Sequence, residues 1–550
     1  MKTWSVRWAL SVAVLAAAPA MAQPEARFED AHYRAAALPA PAPQGQFRNP
    51  VLPGFHPDPS IVRVGADFYL VNSTFAWFPG VPVFHSRDLV NWRLIGHAID
   101  RPAMLDFKGI GTNRGIFAPA ISYHDGLFYI VTTCIECGGN FYVTARDPAG
   151  PWSDPHWLDF DGIDPSFFFD DDGSAWLVNN GPPEGTPRYE GHRAIWIQRF
   201  DAKAGTLTGP RKLLVDGGVH PEDNPIWAEG PHIYKAGGAY YLTAAEGGTA
   251  DRHSQTIYRA ARPDGPYTPG PVNPILTQRD LPPDRPDRVE ATGHADLVEL
   301  PDGRWWGAFL ATRPFAGQST LMGRETFLLP VRWADGWPRF LDPGEAIPPL
   351  VERPALPADP PIDRSAWDDA FDAATLSPEW IWLRGADRGG WSKLDGGALV
   401  LQARPDPAGS LGQPAFVGRR LRHHDASFET RLRFTPERDG DFAGLLAYMD
   451  EAHFLAFGVE RIAGQRRIVA RRRIAEREDA RGEIVASRPL GSGDVALRLT
   501  ITGGNAALAW RTGDAWQTLA PAIDVEPLAS VHAGLFTGLV VGPYALAAAR

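Results

Sequence analysis

The sequence predicts an all-β chain: a five-bladed β-propeller followed by a β-sandwich. A hairpin pattern recurs five times within the first 340 residues, and strict two-residue alternation takes over beyond residue 366. Between the repeats, no helical periodicity is sustained. At 550 residues the chain is also too long for one compact core, so two domains of unequal size are expected.

The chain opens with a leader. Lys2 and Arg7 precede the apolar run Trp8 to Ala18, and Ala20-Met21-Ala22 has the small-x-small form of a signal-peptidase site. Residues 1–22 therefore read as a cleaved export signal, which places the mature protein in the periplasm or outside the cell. The apolar run is too short to span a bilayer, and no other stretch is long enough. The net charge of −11 makes a poor nucleic-acid binder. The one basic cluster, RRIVARRR at 466–473, alternates with apolar residues and reads as the solvated face of a strand. Two cysteines, Cys134 and Cys137, stand in CIEC as a local disulfide or two free thiols, without the further ligands that zinc needs.

The repeats follow over residues 47–340. DPSIVRVGADFYLV begins at Asp58, FAPAISYHDGLFYIV at Phe117, DPSFFFDDDGSAWLV at Asp164, EGPHIYKAGGAYYLT at Glu229 and HADLVELPDGRWWGAF at His294. Each is a short apolar strand, a turn and an aromatic-rich second strand. Their starts lie 59, 47, 65 and 65 residues apart, which leaves room for four strands per unit, as in a propeller blade. Asp170, Asp171 and Asp172 precede Gly173 at a hairpin tip and read as turn residues.

The innermost strand of each blade starts at the central axis, so Asp58, Phe117, Asp164, Glu229 and His294 are expected to crowd one end of it. Aligned on the prolines, Phe117 and Glu229 stand one residue earlier than the two aspartates. Pro57 and Pro59 flank Asp58, and Pro165 follows Asp164. Each proline is expected to push the residue before it into extended geometry and so stiffen the carboxylate's aim. Carboxylates gathered at one axis cannot all ionise cheaply, so their pKa values separate. One protonated acid beside one ionised base is what glycoside hydrolysis requires.

Three stretches, GFHPDPSIV (54–62), IDPSFFFDDDG (163–173) and WAEGPHIYK (227–235), resemble in this order the active-site signatures of glycoside hydrolase family 43. NSTFAWFPGVPVFHSRDLVNW (72–92), AEGGTADRHSQTIYR and TGHADLVEL resemble its β-xylosidase and α-L-arabinofuranosidase branch. The resemblance implies an exo-acting, inverting hydrolase that frees terminal β-D-xylose or α-L-arabinofuranose from xylo- or arabino-oligosaccharides. It implies Asp58 as general base, Glu229 as general acid and Asp164 as the carboxylate that tunes and orients the acid. It places Arg324 near the substrate and the acid, and Trp77, Phe78, Phe117, Glu246 and His253 along the sugar subsites. Phe117 departs from the tryptophan usual in that motif. No cofactor is implied for the chemistry; His294 matches an axial histidine linked in many relatives to a calcium ion, often through waters. Other activities of the family, or a non-catalytic sugar-binding propeller, are the rivals, and a homo-oligomer is left open.

Seven prolines mark residues 341–365 as a stiff linker. Beyond it, Phe428, Thr430, Leu432 and Phe434 alternate with Glu429, Arg431 and Arg433, and Val495, Leu497, Leu499 and Ile501 repeat the pattern. Strands with one buried face predict a sandwich over 366–550. It is similar to the concanavalin-like C-terminal domain of the same branch, which in relatives leans a loop onto the active-site mouth.

Overall fold

The structure, a computed structural model, describes residues 23–385 and 390–549; the expected leader at 1–22 lies outside them. Five antiparallel four-stranded units follow one another, each built from consecutive strands except that in blade one the short strand Trp77–Phe78 leaves to pair with the second domain. Their innermost strands are Ser60–Val64, Gly115–His124, Ile163–Phe169, Glu229–Ala236 and Glu290–Glu299. Blade four carries one additional short strand, Leu276–Thr277. Cys134 and Cys137 form a disulfide at the end of blade two's second strand. Among the described residues no helix is long and apolar enough to cross a membrane.

Every innermost strand starts with the same backbone device. In blade three, Ile163 pairs with Asn180 and Ser166 with Val178, so Asp164 and Pro165 together oppose one residue. Gly230-Pro231, Ala118-Pro119 and His294-Ala295 make the same two-against-one bulge. Asp58, Ala118, Asp164, Gly230 and His294 have φ of 50°, 22°, 51°, 55° and 52°. The prolines therefore do not hold the aspartates extended. A bulge whose first residue is left-handed re-aims that side chain, and paired ladder on both sides enforces the unfavourable geometry. Phe117 and Glu229 flank the bulge instead of occupying it.

Among the described residues no blade borrows a strand from another; a backbone bridge from Leu52 to Thr326 of blade five and a set of side chains close the ring. Asp296 of blade five accepts from Ser60 Oγ at 2.6 Å, Ile61 N at 2.9 Å and Tyr234 OH at 2.6 Å, joining blades one and four. Asn49 doubles the latch by exchanging two 2.9 Å hydrogen bonds with Leu328 of blade five. Asp170 is not a turn residue alone. It is buried and accepts from Lys235 Nζ and Tyr240 OH of blade four, each at 2.6 Å. Asp296→Ala strands three buried donors and should lower stability by about 3 kcal/mol or more, measured by urea unfolding. An unchanged midpoint would remove Asp296 from ring closure.

The second domain packs two sheets. One orders Glu483–Pro489, Gln465–Arg473, His453–Ile462, Phe442–Asp450, Val540–Leu546, Ala415–Arg420 and Ile381–Leu383. The other is completed from the far end of the chain. Glu25–Phe28 lies between Leu399–Gln402 and Ala426–Arg433, and Ala31–Ala35 between Ala366–Asp369 and Ala426–Arg433. The sandwich therefore does not consist of 366–550 alone. Phe428, Thr430, Leu432 and Phe434 are buried, as the alternation predicts. Within the basic cluster, Arg471 pairs with buried Glu460 at 2.9 Å and Arg473 is itself buried, so that strand face is not wholly solvated. The proline-rich segment is fastened to blade one, where Asp88 accepts from Arg353 Nη2 at 2.6 Å and Asp359 N at 3.0 Å.

Candidate active site

The bulges deliver Asp58, Asp164 and His294 into one cavity of about 540 Å³ at the axis, and Glu229 joins them from the position before its bulge. The three carboxyl residues are 5%, 6% and 8% exposed. Burial alone would raise all three, so their partners decide which stays ionised. Asp58 accepts from Arg324 Nη1 at 3.0 Å and Ser73 Oγ at 2.6 Å. Against the burial, Arg324, His294 and the Ser73 hydroxyl hold its carboxyl below the usual aspartate value.

Glu229 has no such donor among the described residues. Burial and the neighbouring Asp164 charge push it up to about 8. Asp164 Oδ2 accepts from Gly230 N at 3.2 Å and lies 3.5 Å from His294 Nε2. It is thus tied to the peptide that carries Glu229. A side chain at Gly230 would collide with the His294 ring at 2.8 Å, so the glycine lets the histidine close on this pair. Burial opposes the charged form of His294, but its hydrogen bond to Asp164 and the surrounding carboxylates push it up to about 9. One acid that holds its proton and one base that has lost it therefore share a cavity.

Apolar rings form one wall. Phe75 meets Phe117 at 5.1 Å, and Phe536 lies 5.6 Å from each. Phe536 belongs to the sandwich, whose loop reaches the cavity by lying backbone on backbone: a Cβ on Gly323 would meet the Thr537 carbonyl at 2.5 Å. Ile226 and Trp227 also line the cavity, with Arg193 4.5 Å over the indole ring. Arg324 Nε and Nη2 are buried with no partner among the described residues.

Several expected subsite residues lie elsewhere. Trp77 and Phe78 form a two-residue strand on Ile381–Leu383, and Trp77 packs 5.9 Å from both Phe416 and Tyr448. They seal the joint between domains. His253 is fully covered behind Gly293, pushed down to about 3 by burial, with Nδ1 on the Ala291 carbonyl at 3.2 Å. Glu246 accepts from Val219 N at 3.1 Å and steadies a loop behind the cavity. Arg324 lines the cavity as expected: it donates to Asp58, and it stands close enough to Glu229 for its charge to act on that carboxyl. Phe117 lines it as expected.

His294 Nδ1 is buried without a partner, but no group of three or more His, Cys, Asp or Glu donors surrounds it among the described residues. A lone ring nitrogen fits calcium, which favours six to eight oxygens, poorly.

Residues 47–338 match the description "Glycosyl hydrolases family 43", and residues 368–550 match "Beta xylosidase C-terminal Concanavalin A-like domain". The chain belongs to glycosyl hydrolase family 43. Like other members, this family 43 hydrolase needs no cofactor for catalysis. It is 37% identical to a xylosidase/arabinosidase of Butyrivibrio fibrisolvens, covering 90% of this chain and 95% of the relative. It is also 37% identical to a non-reducing end alpha-L-arabinofuranosidase of Bacteroides ovatus, covering 91% and 92%. The crystal structure of a xylan beta-1,4-xylosidase from Bacillus halodurans superposes with a TM-score of 0.83 at 35% identity, covering 91% and 97%.

Phe75, Arg193, Ile226, Trp227 and Phe536 were not anticipated as lining residues. Phe75 lies two residues before Trp77 in a quoted motif, but its φ of 49° turns it off the strand pattern. Phe536 has no local signal at all.

Proposed function

We propose that this protein is an exo-acting, inverting hydrolase that removes terminal β-D-xylose or α-L-arabinofuranose from hemicellulose oligosaccharides. The observation that carries the reading is that one cavity holds Asp58, which accepts from Arg324 and Ser73, together with the buried Glu229, which has no such donor among the described residues. This arrangement favours an ionised base beside a protonated acid. Asp58 takes a proton from water as its oxygen bonds to the anomeric carbon. The glycosidic C–O bond breaks with Glu229 delivering its proton to the departing oxygen. Asp164 positions the acid, and Arg324 holds Asp58 ionised at the cavity wall. The Phe75, Phe117 and Phe536 wall faces the ring. The relatives' names support both pentoses as substrates. The Cys134–Cys137 disulfide supports an oxidising compartment, in keeping with export. No metal enters this reading.

A panel of p-nitrophenyl glycosides, with the first-formed product anomer followed by NMR, tests it. Release of xylose or arabinose with inverted configuration is expected. Retained configuration sinks the mechanism, and binding of oligosaccharides without any release favours a non-catalytic propeller.

The kcat/KM profile should have an alkaline limb near pH 8, where Glu229 loses its proton, and an acid limb set by Asp58. Removing the cation beside Asp58 favours its protonated form, so Arg324→Met should move the acid limb to higher pH. A limb that stays in place would show that Arg324 does not tune the base.

A further inference from the structure

The seam between blade one and the sandwich holds more positive charge than its carboxylates balance. Arg364, Arg419, Arg420 and Arg422 surround Glu379 there. Arg422 touches its carboxylate, and Arg419 Nη2 lies 3.4 Å from it. Arg364 Nη2 donates to the Trp92 carbonyl at 2.5 Å. The Asp369 carboxylate also acts on Arg419, but its oxygens are taken by Trp380 Nε1 at 2.8 Å and Phe371 N at 2.9 Å. Four guanidinium groups thus share one contacting carboxylate.

Arg420 is the outlier. It is only 7% exposed, yet its guanidinium makes no hydrogen bond or ion pair among the described residues, and its Nε is fully covered. Its one close partner is the face of Phe55, 5.3 Å away. Other polar atoms here are equally unpartnered: Arg419 Nε, His56 Nδ1 and His97 Nε2 are buried without a hydrogen bond. Burial, followed by Arg420, pushes both histidines well down, so they are neutral and add no charge. A buried cation without a partner is among the costliest arrangements in a protein interior, and a native chain supplies a counter-charge.

We propose that this seam binds one small inorganic anion, a halide or an oxyanion such as phosphate, against the Arg420 guanidinium. Guanidinium N–H groups and neutral imidazole N–H groups are suited to such a ligand. The site would be structural. Phe55 lies beneath Arg420 and His56 stands in the cluster, two residues ahead of Asp58, so the anion would fasten the segment that leads to this carboxylate. The inference does not depend on the hydrolase reading.

The test is thermal unfolding of the whole protein, with sodium chloride in one arm and sodium phosphate in the other. Each is exchanged for sodium gluconate at constant ionic strength. A ligand bound only by the folded state raises the melting temperature with saturation. The wild type should show a saturable rise of several degrees in at least one arm, and the responding arm identifies halide or oxyanion. Arg420→Met should abolish that rise and, in gluconate, melt at or above the wild type, since it removes an unpaired buried charge. A wild type that responds in neither arm, or a variant with the wild-type response, overturns the proposal. Should Arg420→Met fail to fold, wild-type crystals grown in bromide decide. An anomalous peak beside the Arg420 guanidinium, in bromide or in parallel crystals grown in arsenate, supports the site, and its absence from both overturns it.

Discussion

Replacing Asp58 with alanine should remove turnover on every substrate, whatever its leaving group. Water at the anomeric carbon needs a base, and no other ionised carboxylate has the Arg324 and Ser73 donors that keep Asp58 ready to accept a proton. The expected loss in kcat is about 10³ to 10⁴-fold, the range assigned to a positioned general base with its orienting partners. Stopped assays on an aryl pentoside and on an oligosaccharide should fall together. The melting temperature should fall as well, because the variant leaves the buried Arg324 guanidinium without its carboxylate, so the assays are run well below it. If Asp58→Ala keeps a tenth of the wild-type rate, Asp58 is not the base.

Glu229→Ala should behave differently. A sugar leaving group departs as a poor anion and needs a proton, whereas p-nitrophenolate does not. The variant should lose about 10² to 10⁴-fold on oligosaccharides but far less on the aryl glycoside. Its alkaline limb near pH 8 should also disappear, because the group that titrates there is gone. Equal losses on both substrates would take Glu229 out of the acid role, and a persisting limb would assign that titration to another group.

How much of this was legible in the chain follows the range of the interactions. The blades could be read because each is a local unit: strand, turn and aromatic strand recur within a few dozen residues. The three carboxylates could be read because they sit at nearly the same point of that repeat. The backbone geometry at that point could not. Proline before an apolar strand argues for extended geometry, and only the pairing on both sides of each bulge shows that Asp58 and Asp164 are left-handed. Trp77 and Phe75 were exchanged for the same reason, since one positive φ changes which ring faces the cavity. Phe536 and the two N-terminal sandwich strands were out of reach, as their partners lie hundreds of residues away along the chain.

The same N-terminal strands govern how this chain can be made. Glu25–Phe28 and Ala31–Ala35 leave the ribosome hundreds of residues ahead of the strand that both of them pair with, Ala426–Arg433. Throughout that interval, while all five blades are emerging, two half-apolar ribbons have no neighbour to bond to and remain open to rogue pairing or to chaperones. A clone cut at the proline-rich segment would leave both fragments short of material, so recombinant expression has to keep the two ends of the gene together.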